Sequence, residues 1–228
     1  MSKIRLGLPS KGRLKDESIK MFSLKNLNIQ NTNSRNYFFN FEESSKFDGI
    51  FLHAREIIER INDGTLDAGV SGLDLLMELP DEYQNNIKIL KKLNFGFADL
   101  VVAVPNDWLD VQNIADLEEV SFEFKEKYNR RMRVATKYPN ISKEFFAKRG
   151  IQVDAIKLNG SMELAPSLNM CRRIVDLVST GATLKANGLK EIEEIMKIQS
   201  KLIINRSAFK TDNNKIQSII NEFKDLVE

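Results

Sequence analysis

The sequence predicts an α/β protein of two lobes around a cleft, on three observations. Short β-rich runs alternate with helical periodicities over most of the length, as in parallel sheets with crossover helices. Near Leu93–Phe97 this alternation gives way to the continuous apolar run Leu100–Val104, closed by Pro105, which marks a hinge. A chain of 228 residues, 42% hydrophobic and 29% charged, is long enough to bury a real core in one large α/β domain or two small ones.

The elements follow in order. Ile4–Leu8 reads as a first strand, and Gly12 opens a charged, apolar-periodic helix to about Met21. Polar sequence from Asn28 to Asn36 leads to β-rich Tyr37–Phe41, and Gly49–His53 forms another strand. Ala54–Asn62 carries Ile57, Ile58 and Ile61 on one helical face, with Asp63-Gly64 as its stop. Leu66–Val70 is the next strand and Gly72–Leu79 a short helix. Beyond the hinge come an acidic helix at Ile114–Tyr128, a strand at Arg133–Thr136, a helix at Ser142–Arg149, a strand at Val153–Leu158 and a short helix after Gly160. The strand Ile174–Val178 follows, then a helix at Lys190–Ile198, a strand at Leu202–Asn205 and an amphipathic helix at Asn214–Val227. With the C-terminal segment packed back on the start of the chain, residues 1–96 plus 188–228 make the first lobe and 97–187 the second.

Composition narrows the function. Lys and Arg total 34 against 32 Asp and Glu, spread along the chain, so net charge makes no case for a nucleic-acid or membrane partner. The single cysteine, Cys171, excludes an internal disulfide and a cysteine-ligated metal site; the single histidine, His53, excludes a histidine-rich one. His53 and Cys171 are expected to be packing residues, and Trp108 a partly buried anchor. The N-terminal stretch MSKIRLGLPSKGRL turns polar too early for a secretory signal, and no apolar run approaches membrane-spanning length. The expectation is a cytoplasmic protein.

Two loops carry the chemistry. Ile174–Val178 breaks into Ser179-Thr180-Gly181-Ala182-Thr183, three hydroxyls around one glycine between a strand and a helix. Such a turn aims several backbone N–H groups at one point and suits a phosphate, which Gly181 lets approach closely and Ser179, Thr180 and Thr183 can bind. Asp176, at the strand end, is placed to accept from vicinal ribose hydroxyls. The same residues also fit an ordinary N-cap with nothing bound. The second loop, Leu8–Arg13, sets Lys11, Gly12 and Arg13 between a strand and a helix, which fits a polyphosphate site or a solvated basic loop; it is neither a GxxxxGK[ST] nor a GxGxxG motif.

Taken together, LPSKGRL, Ser34-Arg35, DGTLDAGVSGLDLL, FGFADLVVAVP, RVATKYPN, KLNGSMELAP and IVDLVSTGATLKANGL make the chain resemble the catalytic subunit of the ATP phosphoribosyltransferases along nearly its whole length. Glu163, Ile174, Asp176, Thr180, Gly181, Thr183 and Leu184 fit the family signature. Asn169 stands where the family usually has glycine, Cys171 where it has a small residue, and Arg172 where an acid is common.

The resemblance implies a pentosyltransferase that moves the 5-phosphoribosyl group from phosphoribosyl pyrophosphate to N1 of ATP, with Mg²⁺ borne by the substrate, in the first step of histidine biosynthesis. It implies that Ser179–Thr183 seats the 5-phosphate, that Asp176 contacts the ribose, and that Glu163 faces sugar or metal or is simply a first-turn acid. It also implies that Arg13 and Arg35, with Lys11 and Gly12 nearby, contact the polyphosphates and stabilise the departing pyrophosphate. Lys137-Tyr138 lines the cleft or is a surface loop, and Asp67 and Asp74 have turn and cap roles. The length matches the short form of the family, which works with a regulatory subunit similar to histidyl-tRNA synthetase, as a homodimer within a hetero-oligomer.

Two lobes around a cleft also describe solute receptors that close on a hinge, so the expected fold is periplasmic-binding-protein-like (type II). A binding module and a phosphoribosyltransferase acting on another base are the two rivals.

Overall fold

The computed structural model describes residues 3–30, 37–42, 44–158 and 160–206. Ser34, Arg35 and the helix expected at Asn214–Val227 lie outside them. The chain divides into two compact units: described residues up to Gly96 together with those from Gln199 onward, and Phe97–Ile198.

The first unit holds β1 (Ile4–Pro9), α1 (Gly12–Ser23), β2 (Ile29–Gln30), β3 (Phe38–Phe41), β4 (Ser44–Leu52), α2 (Ala54–Asn62), β5 (Ala68–Gly72), α3 (Leu73–Met77), α4 (Asp81–Gln84) and β6 (Ile87–Lys92). The second holds β7 (Ala98–Pro105), α5 (Ile114–Tyr128), β8 (Met132–Thr136), α6 (Pro139–Ala147), β9 (Val153–Lys157), a 3-10 turn at Met162–Leu164, β10 (Ile174–Val178), α7 (Ala182–Ala186) and β11 (Leu189–Ile198). The last strand, β12 (Ser200–Asn205), returns to the first unit.

The first sheet runs β2-β3-β4-β1-β5-β12-β6, with β1 parallel to β4 and β5, and β12 antiparallel to β5 and β6. On one side lie Phe22, Phe39, Phe41, Phe47 and Phe51 with the strand aliphatics. On the other, the Ile57, Ile58 and Ile61 face of α2 packs on Leu66 and Ile203. That helix sits so close that a Cβ on Gly69 would lie 2.5 Å from Ile57 Cγ2, and close packing here requires glycine.

The second sheet runs β11-β7-β10-β8-β9, with β10, β8 and β9 parallel and β7 antiparallel to β10 and β11. Ile174 and Val178 of β10 share a face with Val101, Ala103 and Ala135, covered by Met162, Ala165, Leu184 and Leu189. No helix among the described residues is long and apolar enough to cross a membrane.

Several expectations need correction. Lys190–Ile198 is a strand, not a helix. Its buried residues Leu189, Ile192 and Ile198 fall at multiples of three because register shifts against β7, between Glu191 and Glu193 and between Glu194 and Met196, break the simple alternation. An extra residue at a bulge turns a period of two into an apparent helical period. Because β11 pairs with β7 along its whole length, residues 189–198 belong to the second unit, and the second crossing falls at Ile198/Gln199 rather than at 188. The lysine-rich β6 and the two-residue β2 carry little periodicity and are edge strands that the sequence reading does not contain.

His53 is exposed rather than packed. It caps α2, its Nδ1 accepting from the Arg55 N–H at 3.4 Å while the Glu56 carboxylate accepts its own N–H at 3.2 Å.

Candidate functional site

At its C-terminal end β10 delivers Asp176 and then the loop. Asp176 pairs with Val101 across β7, so its side chain continues the stripe of Ile174 and Val178 under the 3-10 turn. Met162 and Ala165 are buried in that layer and hold Glu163 between them, at the same end. After Val178 the chain turns through Gly181, at φ +73°, into α7, which Leu184 anchors in the apolar layer. The left-handed backbone suits glycine, and Gly181 has open space around it: a Cβ there would meet nothing nearer than Val178 Cγ1 at 4.0 Å.

The first intrahelical bond of α7 runs from Lys185 N–H to the Gly181 carbonyl at 3.1 Å. The N–H groups of Gly181 to Leu184 therefore have no partner in a preceding turn. The Thr180 hydroxyl accepts from that of Ala182 at 3.4 Å.

Glu163, Asp176 and the run Leu177–Leu184 enclose a cavity of about 260 Å³. It brings together seven residues singled out from the sequence: Glu163, Asp176, Ser179, Thr180, Gly181, Ala182 and Thr183. Burial pushes the Asp176 carboxyl above its usual range; the Leu177 N–H and the Lys137 ammonium oppose that shift, and the charge of Glu163 adds to it. Lys137 Nζ lies 4.0 Å from Asp176 Oδ1. The sequence left Lys137 undecided between cleft and surface. The parallel register Val175–Thr136 carries it beside Asp176, one step past the last paired residues.

The N-terminal loop is built differently. Leu8 and Pro9 are buried, Ser10 N–H bonds to the Leu52 carbonyl at 2.8 Å, and Lys11, Gly12 and Arg13 are exposed. Lys11 occupies the N-cap of α1 with no side-chain capping bond, and the first turn holds no acid. Cations at an uncapped helix start are electrostatically unfavourable until an anion joins them. This loop belongs to the first unit and the cavity to the second.

The departures from the family pattern have local explanations. Asn169 adopts φ +54°, the left-handed region that asparagine tolerates best after glycine. Cys171 is buried, its thiol pushed up by burial, and Arg172 pairs with Asp107 at 3.1 Å. Trp108 is half-buried under the guanidinium of Arg173, centred 4.9 Å from the ring. Asp67, buried, accepts from the Arg5 backbone N–H at 2.8 Å and pairs with its guanidinium at 3.0 Å.

Among the described residues no group of three or more His, Cys, Asp and Glu side chains is arranged to hold a metal ion. The pair Glu163 and Asp176 supplies hard oxygen donors suited to Mg²⁺ whose other ligands are substrate oxygens.

Residues 53–225 match the family model described as ATP phosphoribosyltransferase. Similar chains include an ATP phosphoribosyltransferase of Chelativorans sp., 39% identical over 206 residues, covering 88% of this chain and 90% of that one. Another, of Rhizobium etli, is 38% identical over 222 residues, covering 95% and 96%. Among solved structures, the ATP phosphoribosyl transferase (HisG:HisZ) complex from Thermotoga maritima matches with TM-score 0.76 at 22% identity, covering 98% of both chains. The periplasmic aliphatic sulphonate-binding protein SsuA of Escherichia coli matches with TM-score 0.58 at 14% identity, covering 99% of this chain and 68% of that one. The fold is thus the two-lobed α/β fold of type II periplasmic binding proteins. A family model spanning most of the chain, with relatives near 40% identity over nine-tenths of it, means that the chain belongs to the ATP phosphoribosyltransferase family.

Proposed function

We propose that the chain transfers the 5-phosphoribosyl group of phosphoribosyl pyrophosphate to N1 of ATP and releases pyrophosphate, with the cavity beside β10 as the phosphoribosyl seat. One observation carries the assignment of the site: a glycine-centred turn whose N–H groups lack partners within the helix opens on a cavity that also presents Asp176 and Glu163.

Departure of pyrophosphate from ribose C1 leaves positive charge on the sugar and negative charge on the leaving group, so the protein's work is positioning and electrostatics. In this reading the N–H groups and hydroxyls of Ser179–Thr183 hold the 5-phosphate. Asp176 accepts from the ribose hydroxyls, and with Glu163 it presents negative charge to the sugar as it becomes cationic. Lys11, Gly12, Arg13 and Arg35 serve the polyphosphates, and the two arginines stabilise the departing pyrophosphate. Glu163 and Asp176 are the carboxylates that would meet a substrate-borne Mg²⁺, which would supply positive charge to offset that of the pyrophosphate.

The proposal includes a regulatory subunit similar to histidyl-tRNA synthetase, a homodimer of this chain within the hetero-oligomer, and the short-form class. Support comes from the whole-length fold match to a chain of the Thermotoga maritima complex. A cytoplasmic location goes with substrates that are made and used inside the cell.

Ultraviolet absorbance at the phosphoribosyl-ATP band tests the reaction, with ATP, phosphoribosyl pyrophosphate, Mg²⁺ and pyrophosphatase present. A rise that needs both substrates is expected. Silence with a compatible regulatory subunit added would overturn the reading, whereas full activity and full histidine inhibition in the isolated chain would overturn the partner.

A further inference from the structure

The cavity presents an electrostatic conflict. The described residues that line it contribute two carboxylates, Glu163 and Asp176, and no cation. Apart from any cation that the substrate itself carries, a phosphate-bearing ligand entering this half-enclosed space of about 260 Å³ meets the like charge of that pair. Donors on the backbone offset part of this, since they carry only partial charge. Asp99, opposite Val178 on β7, lies on the same face and has Lys197 of β11 opposite it in turn.

Among the described residues, Lys137 is the cation that stands against Asp176. Lys137 Nζ stands 4.0 Å from Asp176 Oδ1, and the carboxylate is the more enclosed partner, its side chain 18% exposed against 40% for the lysine. The turn that carries Lys137 is held from within the protein. Thr136 Oγ1 accepts from the Tyr138 N–H at 2.9 Å, Ser142 Oγ donates to the Tyr138 carbonyl at 2.7 Å, and the Leu158 N–H donates to the Thr136 carbonyl at 3.0 Å. Thr136, Tyr138 and Ser142 are all buried. The backbone from which the Lys137 side chain extends is thereby held in place.

Resting on the phosphoribosyl reading, we propose that Lys137 is a positioning residue for phosphoribosyl pyrophosphate: standing against Asp176, it offsets the Glu163–Asp176 carboxylate pair so that the cavity accepts an anion, with Asp176 held as the acceptor for the ribose hydroxyls.

The test compares wild type, Lys137→Met and Lys137→Arg, each with the regulatory subunit, by initial rates across the concentration of each substrate. For Lys137→Met the KM for phosphoribosyl pyrophosphate should rise about tenfold, an exposed-pair magnitude enlarged by partial enclosure. The KM for ATP should change less than about twofold, in keeping with an effect confined to one substrate. The kcat should change less than the KM for phosphoribosyl pyrophosphate, and Lys137→Arg should restore that KM. A wild-type KM in Lys137→Met, or an arginine variant as impaired as the methionine one, would overturn the inference while wild-type turnover leaves the reaction standing. Absence of turnover in the wild-type complex would remove the reading itself, and this inference with it.

Discussion

Gly181→Ala separates two demands that the proposed phosphate loop makes on one residue. The first is conformational: at φ +73° an alanine pays left-handed strain of about 1–2 kcal/mol, partly offset by about 0.4–1 kcal/mol from a less flexible unfolded chain. No steric cost adds to this, because the nearest atom to the new Cβ is 4.0 Å away. The net loss of about 1 kcal/mol corresponds to a fall in Tm of roughly 2–5 °C for a unit or chain of this size. The second demand is functional. The methyl occupies space beside N–H groups meant for phosphate oxygens, and a phosphate held off by a methyl group loses charge-assisted hydrogen bonds worth about 1.5–3 kcal/mol each. The KM for phosphoribosyl pyrophosphate should therefore rise at least about tenfold, well beyond what a small loss of stability explains. Circular-dichroism melting reads the first effect and initial rates the second. A variant that melts at or above the wild-type temperature refutes the strain; one that keeps the wild-type KM refutes the close approach.

Two further outcomes are expected. Asp176→Asn should abolish most turnover yet raise stability near neutral pH. The native Asp176 carboxyl, raised by burial, still holds its proton where the unfolded one has lost it, so its stabilising contribution is present below the unfolded value near 3.8 and is lost as pH rises through the raised native value. The Tm advantage of the asparagine variant should grow through that window and then level off; an advantage that shrinks as pH rises would contradict the sign. Asp67→Ala should cost about 2–3 kcal/mol in denaturant unfolding, because it strips the Arg5 backbone N–H and guanidinium of a buried acceptor, with Asp67→Asn intermediate. Equal stability of the alanine variant would show the contact to be dispensable.

Local chemistry made much of this protein legible. The bounds of α2 follow from its apolar face and end signal, and the break from Ile174–Val178 into a hydroxyl-flanked glycine marks the loop without reference to anything distant. Family motifs added the reaction, since no residue pattern in a phosphate loop names the acceptor base.

What the sequence alone determined is therefore the alternation of strands and helices, the loop that ends β10 and the residues able to hold a phosphate there. Only the tertiary structure decided that 189–198 is a bulged strand of the second unit, because pairing with β7 overrides a spacing of three. It alone decided that Lys137 faces Asp176, because 39 positions of chain separate two residues that parallel register makes neighbours. Periodicity reports which face of an element is buried; which charge stands opposite depends on strand order, and strand order is a property of the packed sheet.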